Sequence, residues 1–189
     1  MKPFPILDFR FWIFLGFGIW GLGFAASAAV SVTDADGVVR RLDGPGKVTV
    51  VIYSNPALQD WTRKAGASLD KFQGIPEFRS VVIVDLRKSM ADWAPGYTVR
   101  RMQRDLDKEA ERITPSYRSN GNKNNPRPDV SAVPDFKGEV CKAVGWTEPA
   151  NHKRVVVFGI EGKEVYRSED EADFSGLKQA TAKALEAKP

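Results

Sequence analysis

One stretch decides the fold of this chain: residues 47–56 read Lys47-Val48-Thr49-Val50-Val51-Ile52-Tyr53-Ser54-Asn55-Pro56. The first seven residues are mostly apolar and β-branched, which predicts a central strand that is buried on both faces. The Ser-Asn-Pro sequence that follows stops this strand and can start a helix. We therefore expect a sharp strand-to-helix corner at residues 54–56.

The residues after this corner predict a parallel βαβ unit. Apolar side chains recur at steps of three and four, as expected for one face of a helix: Leu58, Trp61, Ala65, Leu69 and Phe72. Residues 80–86 then form a second apolar, β-branched run that carries Asp85 near its end. A helix of crossover length joins the two strands, so we expect them to be parallel neighbours in one sheet.

The rest of the chain extends this unit on both sides. Alternating residues around Asp36-Gly37 predict an N-terminal β-hairpin over residues 30–42. After the unit we expect a second helix with Val99 to Ile113 on its apolar face, an irregular surface loop over about 114–128, a short extended segment at 130–136, a short helix at 138–146, a hairpin at 154–167 and a C-terminal helix. These elements predict an α/β fold with a mixed central sheet between helical layers.

The N-terminus resembles a secretory leader. Lys2 and Arg10 precede an uncharged apolar run over residues 11–24, which closes on small residues at 25–29. This run is too short to span a bilayer, so we expect residues 1–29 to be a signal peptide, cleaved after Ala28 or Ala29. The alternative is an uncleaved membrane anchor, with Trp12 and Trp20 at the interface. On this basis we expect a periplasmic or extracellular protein with one domain over residues 30–189.

Composition excludes several classes of function. Removing the leader takes away two basic residues and one acidic residue, which lowers the formal net charge from +4 to +3. That charge is too small to indicate nucleic-acid binding. The one cysteine, Cys141, cannot form an internal disulfide, and it is too far from the leader to accept a lipid. The one histidine, His152, excludes a metal site built from several histidines. We expect neither a metal nor a cofactor.

Three segments resemble the redoxin and peroxiredoxin-related branch of the thioredoxin-like superfamily. The first runs from Asp36-Gly37 to Gly46-Lys47 and leads into the first core strand. The second reads Asp135-Phe136-Lys137-Gly138-Glu139-Val140-Cys141-Lys142-Ala143-Val144-Gly145, and the third reads Phe158-Gly159-Ile160-Glu161-Gly162-Lys163-Glu164-Val165-Tyr166. The resemblance implies a thioredoxin-like fold, with the chemical site at the corner after the first core strand.

The corner lacks the residues that this resemblance would require for thiol chemistry. Between Tyr53 and Thr62 there is no Cys-x-x-Cys motif and no cysteine at all, and Asp60 and Arg63 stand where a peroxidatic threonine and cysteine would follow Pro56. Ser54 cannot replace a thiolate, because its hydroxyl is far too weakly acidic without an adjacent base. In active relatives a cis-proline faces the corner. Pro149 is displaced from that place, which puts Asn151 or His152 there.

The candidate site is therefore a degenerate corner that binds rather than reacts. Its residues are Ser54, Asn55, Pro56, Trp61 and His152. We expect Cys141 to be a buried small hydrophobic residue, the alternatives being a free thiol or an intermolecular disulfide. We expect Trp61, Trp93 and Trp146 to belong to the core rather than to a ligand groove.

The predicted function is a non-catalytic, exported binding or scaffold domain for a protein or a small ligand. It contacts no nucleic acid, and it contacts a membrane only through an uncleaved leader. The alternative is a peroxidase or reductase that uses Cys141 with an external thiol. Residues 87–127 hold ten basic and five acidic residues, which we interpret as a solvated surface, with contact to an anionic envelope surface or an acidic partner as the other possibility.

Overall fold

The computed structural model describes residues 29–87, 89, 93–149 and 151–187. The predicted leader lies outside this range except for Ala29. Within the described part of the chain the strands are β1 Ser31–Thr33, β2 Val39–Arg41, β3 Val48–Ser54, β4 Phe78–Asp85, β5 Val130–Asp135, β6 Val155–Phe158 and β7 Glu164–Ser168. The helices are α1 Gln59–Ser68, α2 Pro95–Ser119, α3 Glu139–Ala143 and α4 Ser175–Glu186. No helix in these ranges is long and apolar enough to cross a membrane.

Five strands form one mixed sheet in the order β5-β4-β3-β6-β7. Strand β4 is parallel to both β3 and β5, whereas β6 is antiparallel to β3 and to β7. The parallel pairing of β3 with β4, predicted from the crossover helix, is confirmed. Strands β1 and β2 form a separate antiparallel hairpin, as expected from Asp36-Gly37.

Alternate residues of β3 enter two different layers of the core. Val50 and Ile52 pack with Trp61 of α1 and Leu177 of α4 on one face of the sheet. Helix α2 covers β4 and β5 on that same face. Val82 of β4 shows this, since it packs both against this cluster and against the cluster that contains the buried side chains of α2. Val51 and Tyr53 pack on the opposite face with α3 and the N-terminal hairpin. All seven residues of β3 are buried, as its apolar, β-branched sequence predicted.

Helix α2 is longer than the sequence predicted. It continues to Ser119, so the irregular segment expected at about 114–128 starts at Asn120. Pro115 lies inside the helix, where it offers no N–H to the preceding turn. Burial outweighs this loss: Ile113 and Tyr117 extend the apolar stripe, and the Tyr117 hydroxyl donates to Asp129 Oδ2 at 2.7 Å.

The segment after α2 is tied to the domain by asparagine side chains. Asn120 Nδ2 donates to the carbonyl oxygens of Lys71 and Gln73, and Asn122 Nδ2 donates to that of Gly74. A short 3₁₀ turn, Arg127–Asp129, then leads into β5. Absence of periodicity therefore predicted an irregular segment, but not the hydrogen bonds that hold it against the turn after α1.

Candidate functional site

The corner between β3 and α1 is shaped by the side chain of Asn55. Its Oδ1 accepts hydrogen bonds from the backbone N–H groups of Ala57 (2.9 Å) and Leu58 (3.0 Å), which closes an Asx turn. Ser54, the last residue of β3, is buried, and its Oγ accepts a hydrogen bond from the Thr62 hydroxyl at 2.9 Å. Side-chain hydrogen bonds within the chain therefore hold this corner in place.

A second asparagine meets Asn55 across the corner. Asn55 Nδ2 donates to Asn151 Oδ1 at 3.1 Å, so the loop before β6 contacts the loop after β3. The sequence placed either Asn151 or His152 opposite the corner, and the structure brings Asn151 there. His152 is exposed and does not line the cavity at this corner.

Two cavities open at this edge of the sheet, where the parallel strands have their carboxyl ends. The smaller one is about 280 Å³ and is lined by Tyr53, Asn55, Pro56, Ala57, Asp85, Pro149 and Asn151. The larger is a groove of about 1000 Å³ between α1 and α2, with Ser54, Val84 and Ala132 among its lining residues. Asn55 and Pro56 border both cavities. The carboxyl ends of parallel strands are a common place for ligands in open α/β sheets.

Asp85 forms a buried charged floor for the smaller cavity. It is 3% exposed, and its Oδ2 accepts a hydrogen bond from the Tyr53 hydroxyl at 2.9 Å. Arg87 donates to the same carboxylate from its backbone N–H (3.1 Å), Nε (3.0 Å) and Nη2 (2.7 Å). Burial raises the pKa of Asp85, but the hydrogen bonds from Arg87 and Tyr53 outweigh burial and hold this pKa below its usual range. Asp85 is therefore an ionised carboxylate that anchors the cavity wall.

Solved structures with the same architecture identify the fold. A candidate thioredoxin from Neisseria meningitidis is 18% identical over 86% of this chain and 91% of its own, with a TM-score of 0.55. Arabidopsis thaliana ScoI, solved with copper bound, is 13% identical over 87% and 100%, with a TM-score of 0.53. The exposed lipoprotein thioredoxin Etrx1 of Streptococcus pneumoniae is 13% identical over 82% and 99%, with a TM-score of 0.50. The chain has the thioredoxin-like fold. No family model and no curated protein matches its sequence.

The one cysteine of the thioredoxin-like domain is buried in helix α3. Cys141 has no exposed surface and lies in the same cluster of core side chains as Tyr53 and Trp146. Burial, followed by the negative charge of Asp135, raises the pKa of the Cys141 thiol well above its ordinary value. The thiol is therefore protonated at neutral pH and closed to solvent, whereas a reactive cysteine needs an accessible thiolate.

Trp61 and Trp146 belong to the core of the thioredoxin-like domain, as expected. Trp61 is buried, and its Nε1 donates to the Glu171 carbonyl oxygen at 3.1 Å, so it packs beneath α4 and lines neither cavity. Trp146 is buried edge-on against the Tyr53 ring, with 5.7 Å between ring centroids. The expectation for Trp93 is wrong, because this side chain is 88% exposed just before α2.

The structure also adds residues that sequence reasoning did not assign to the site. Tyr53 and Asp85 line the smaller cavity because each lies at or near the carboxyl end of a neighbouring parallel strand. A polar residue at the end of an apolar strand was the available signal for Asp85. In the described ranges, no group of three or more His, Cys, Asp or Glu side chains could hold a metal ion.

Proposed function

We propose that this chain is an exported, non-catalytic thioredoxin-like domain that binds a protein segment or a small ligand at the corner between β3 and α1. The observation that carries the proposal is the Asn55–Asn151 contact, since it stands where a thiol would have to act. Amide groups can donate and accept hydrogen bonds but supply no redox chemistry. Next to this pair, the smaller cavity combines an aromatic ring, prolines and an ionised carboxylate, a composition suited to binding.

The buried position of Cys141 supports the absence of thiol catalysis. A peroxidase or reductase using this residue would need the sulfur to reach a substrate and to ionise near neutral pH. The burial of Cys141 keeps its sulfur from reaching a substrate, and the raised pKa of its thiol prevents ionisation near neutral pH.

Thiol labelling tests this part of the proposal. Iodoacetamide at pH 7.5 should leave Cys141 of the native chain unlabelled and should label it only after denaturation. The matched control is Cys141→Ala/Lys142→Cys, which moves the thiol one residue along α3 to an exposed position and should label rapidly. Rapid native labelling, together with peroxide or insulin-disulfide turnover that is lost in Cys141→Ala, would establish the enzyme instead.

Site-specific crosslinking tests the binding surface. A photo-crosslinking amino acid replaces Ala57, an exposed residue at the edge of the smaller cavity, and in a control chain it replaces Lys183 of α4. In the cell envelope we expect one discrete adduct from position 57 and none from position 183. Adducts of the same size from both positions, or from neither, would contradict a ligand site at the corner.

Export is the remaining part of the proposal, and it rests on the leader. The fold is shared with an exposed lipoprotein thioredoxin, which supports an extracytoplasmic location. N-terminal sequencing of the chain recovered from the cell envelope should begin near Ala29 or Val30. An intact Met1 would mean that the leader remains as an anchor.

A further inference from the structure

The N-terminal end of α2 carries the most exposed aromatic side chains among the described residues. Trp93 is 88% exposed and Tyr97, four residues later, is 57% exposed. An exposed tryptophan gives up contact with the core for contact with water, so a pair of such residues indicates a surface that meets something other than solvent. Val38, Val39 and Val165 are also exposed, but they are valines in two separate hairpins, without an aromatic ring or an adjoining block of arginines.

A block of arginines continues the same surface along the helix. At 3.6 residues per turn, Tyr97, Arg100, Arg101 and Arg104 lie within an arc of about 100° around α2. The three arginines are exposed, and no carboxylate in the described ranges pairs with any of them. Residues 93–104 contain no Asp or Glu. The positive end of the helix dipole lies at the same end and adds to this charge. We call Trp93, Tyr97, Arg100, Arg101 and Arg104 the α2 patch.

We propose that the α2 patch docks the domain onto a membrane surface that contains anionic phospholipid. Tryptophan and tyrosine are the residues that prefer the interface between headgroups and acyl chains. Arginines beside them attract anionic headgroups through charge. The sequence alone could not separate this surface from a solvated helix face, because the pattern does not show that Trp93 is exposed.

The alternative occupant is a soluble acidic partner, which the arginines would also attract. The exposed aromatic pair favours the membrane, because a purely acidic partner gains nothing from Trp93 and Tyr97 standing clear of the fold. The two occupants also differ in what happens to the aromatic end of the patch. A membrane moves it into an apolar environment, whereas a soluble polyanion leaves it in water.

A fluorophore at position 96 reports this environment directly. The substitution Cys141→Ala first removes the native thiol. Gly96→Cys is then added to this variant, and the new thiol carries an NBD label at a position that lies between the two aromatic residues in the sequence. A Cβ at position 96 meets only Arg100 Nη1 at 3.8 Å, so a side chain fits there. The control label is at Lys142→Cys, an exposed position of helix α3. The full chain is used throughout, and a label at position 96 reports on the patch even where the leader contacts lipid.

We expect the emission at position 96 to rise and shift to the blue with vesicles of phosphatidylglycerol and phosphatidylethanolamine, but not with phosphatidylcholine. The label at position 142 should show no change. Salt at 0.5 M should weaken the response, because it screens exposed charges. Each basic residue near an anionic surface accounts for about a fivefold change in affinity. Replacing all three arginines of the patch with glutamine should therefore lower the vesicle affinity about 100-fold.

A matched triple variant separates the patch from net charge. Lys123→Gln/Lys137→Gln/Lys183→Gln removes the same number of positive charges, three, from exposed positions outside the patch. This variant should keep most of the vesicle response. Equal losses in the two triple variants would overturn the proposal, as would equal responses at positions 96 and 142 or a response to phosphatidylcholine. Soluble polyglutamate that binds the patch, as measured by the anisotropy of the label at position 96, combined with no blue shift on anionic vesicles, would also overturn it and would identify an acidic partner instead.

Discussion

Replacing Asp85 with asparagine tests whether the charged floor of the smaller cavity holds the corner in place. The substitution keeps the shape of the side chain but removes its charge, and it leaves the Arg87 guanidinium without its carboxylate. The side chains of Asp85 and Arg87 are 2% and 17% exposed, and they meet at 2.7 Å between Nη2 and Oδ2. The pair is therefore largely desolvated.

The size of the effect follows from this burial. Removing one partner of a buried ion pair costs about 3–5 kcal/mol of unfolding free energy. Arg87 retains some exposure and keeps a hydrogen bond from Nη1 to the Thr147 carbonyl oxygen, so we expect the lower end, about 3 kcal/mol. For a domain of this size that corresponds to a fall of about 6–12 °C in Tm.

Urea and thermal unfolding of Asp85→Asn at pH 7 measure this loss. The matched control is Asp60→Asn, which also removes an Asp–Arg ion pair but at a side chain that is 90% exposed. It should change the free energy of unfolding by less than about 0.5 kcal/mol. A loss below about 1 kcal/mol for Asp85→Asn would refute the view that this carboxylate anchors the site.

The pH dependence of the unfolding free energy is a second, independent test of the role of Asp85. The pKa of Asp85 in the folded chain lies below its ordinary value of 3.8, so the unfolded chain binds the proton more readily. The contribution of Asp85 to stability is therefore complete above about pH 4 and is lost as the pH falls through the folded pKa. The difference in unfolding free energy between the wild type and Asp85→Asn should shrink below about pH 4. A difference that stays constant to pH 2 would contradict a depressed pKa.

Two further substitutions test the corner and the last hairpin by urea unfolding. Asn55→Ala removes the acceptor for the N–H groups of Ala57 and Leu58 and should cost about 1 kcal/mol, whereas Asn124→Ala, at an exposed side chain, should cost almost nothing. Equal costs would show that the Asx turn is unimportant. Gly162→Ala should cost more than about 2 kcal/mol, because φ is +82° and the new Cβ would also overlap the Asp43 carbonyl oxygen. Gly121→Ala has a similar φ of +77° with open space around it, so it isolates the overlap, and an equal loss there would contradict this explanation.

Much of the fold was predictable because its elements are encoded locally. The apolar run of β3 predicted burial on both faces, and the three- and four-residue spacing after Leu58 predicted the helix that follows. That helix ends earlier than the spacing indicated, at Ser68, and Phe72 lies in a separate 3₁₀ turn. The end of α2 was not predictable in this way. Pro115 and the polar residues around it indicate a loop, and the helix continues only because Tyr117 finds a buried place and a partner in Asp129.

The candidate site was predictable in position but not in composition. The corner at residues 54–56 follows from where an apolar strand meets Pro56, and the structure places both cavities beside it. Trp61 was assigned to this corner because it is near in sequence. Its helix instead turns the side chain toward the Glu171 carbonyl oxygen and the core beneath α4. Tyr53 and Asp85 are 32 positions apart in the sequence, and only the pairing of β3 with β4 brings their side chains into hydrogen-bond contact at the site.

What the sequence determined by itself is the order of elements and the absence of a paired thiol, since a single cysteine and a run of β-branched residues can be read without coordinates. Tertiary structure decided which side chains face each other and which face water. It buried Cys141, brought Asn151 onto Asn55 and left Trp93 exposed. The physical reason is that hydrophobic patterning is a property of neighbours along the chain, whereas desolvation, pKa and hydrogen bonding depend on neighbours that only folding brings together.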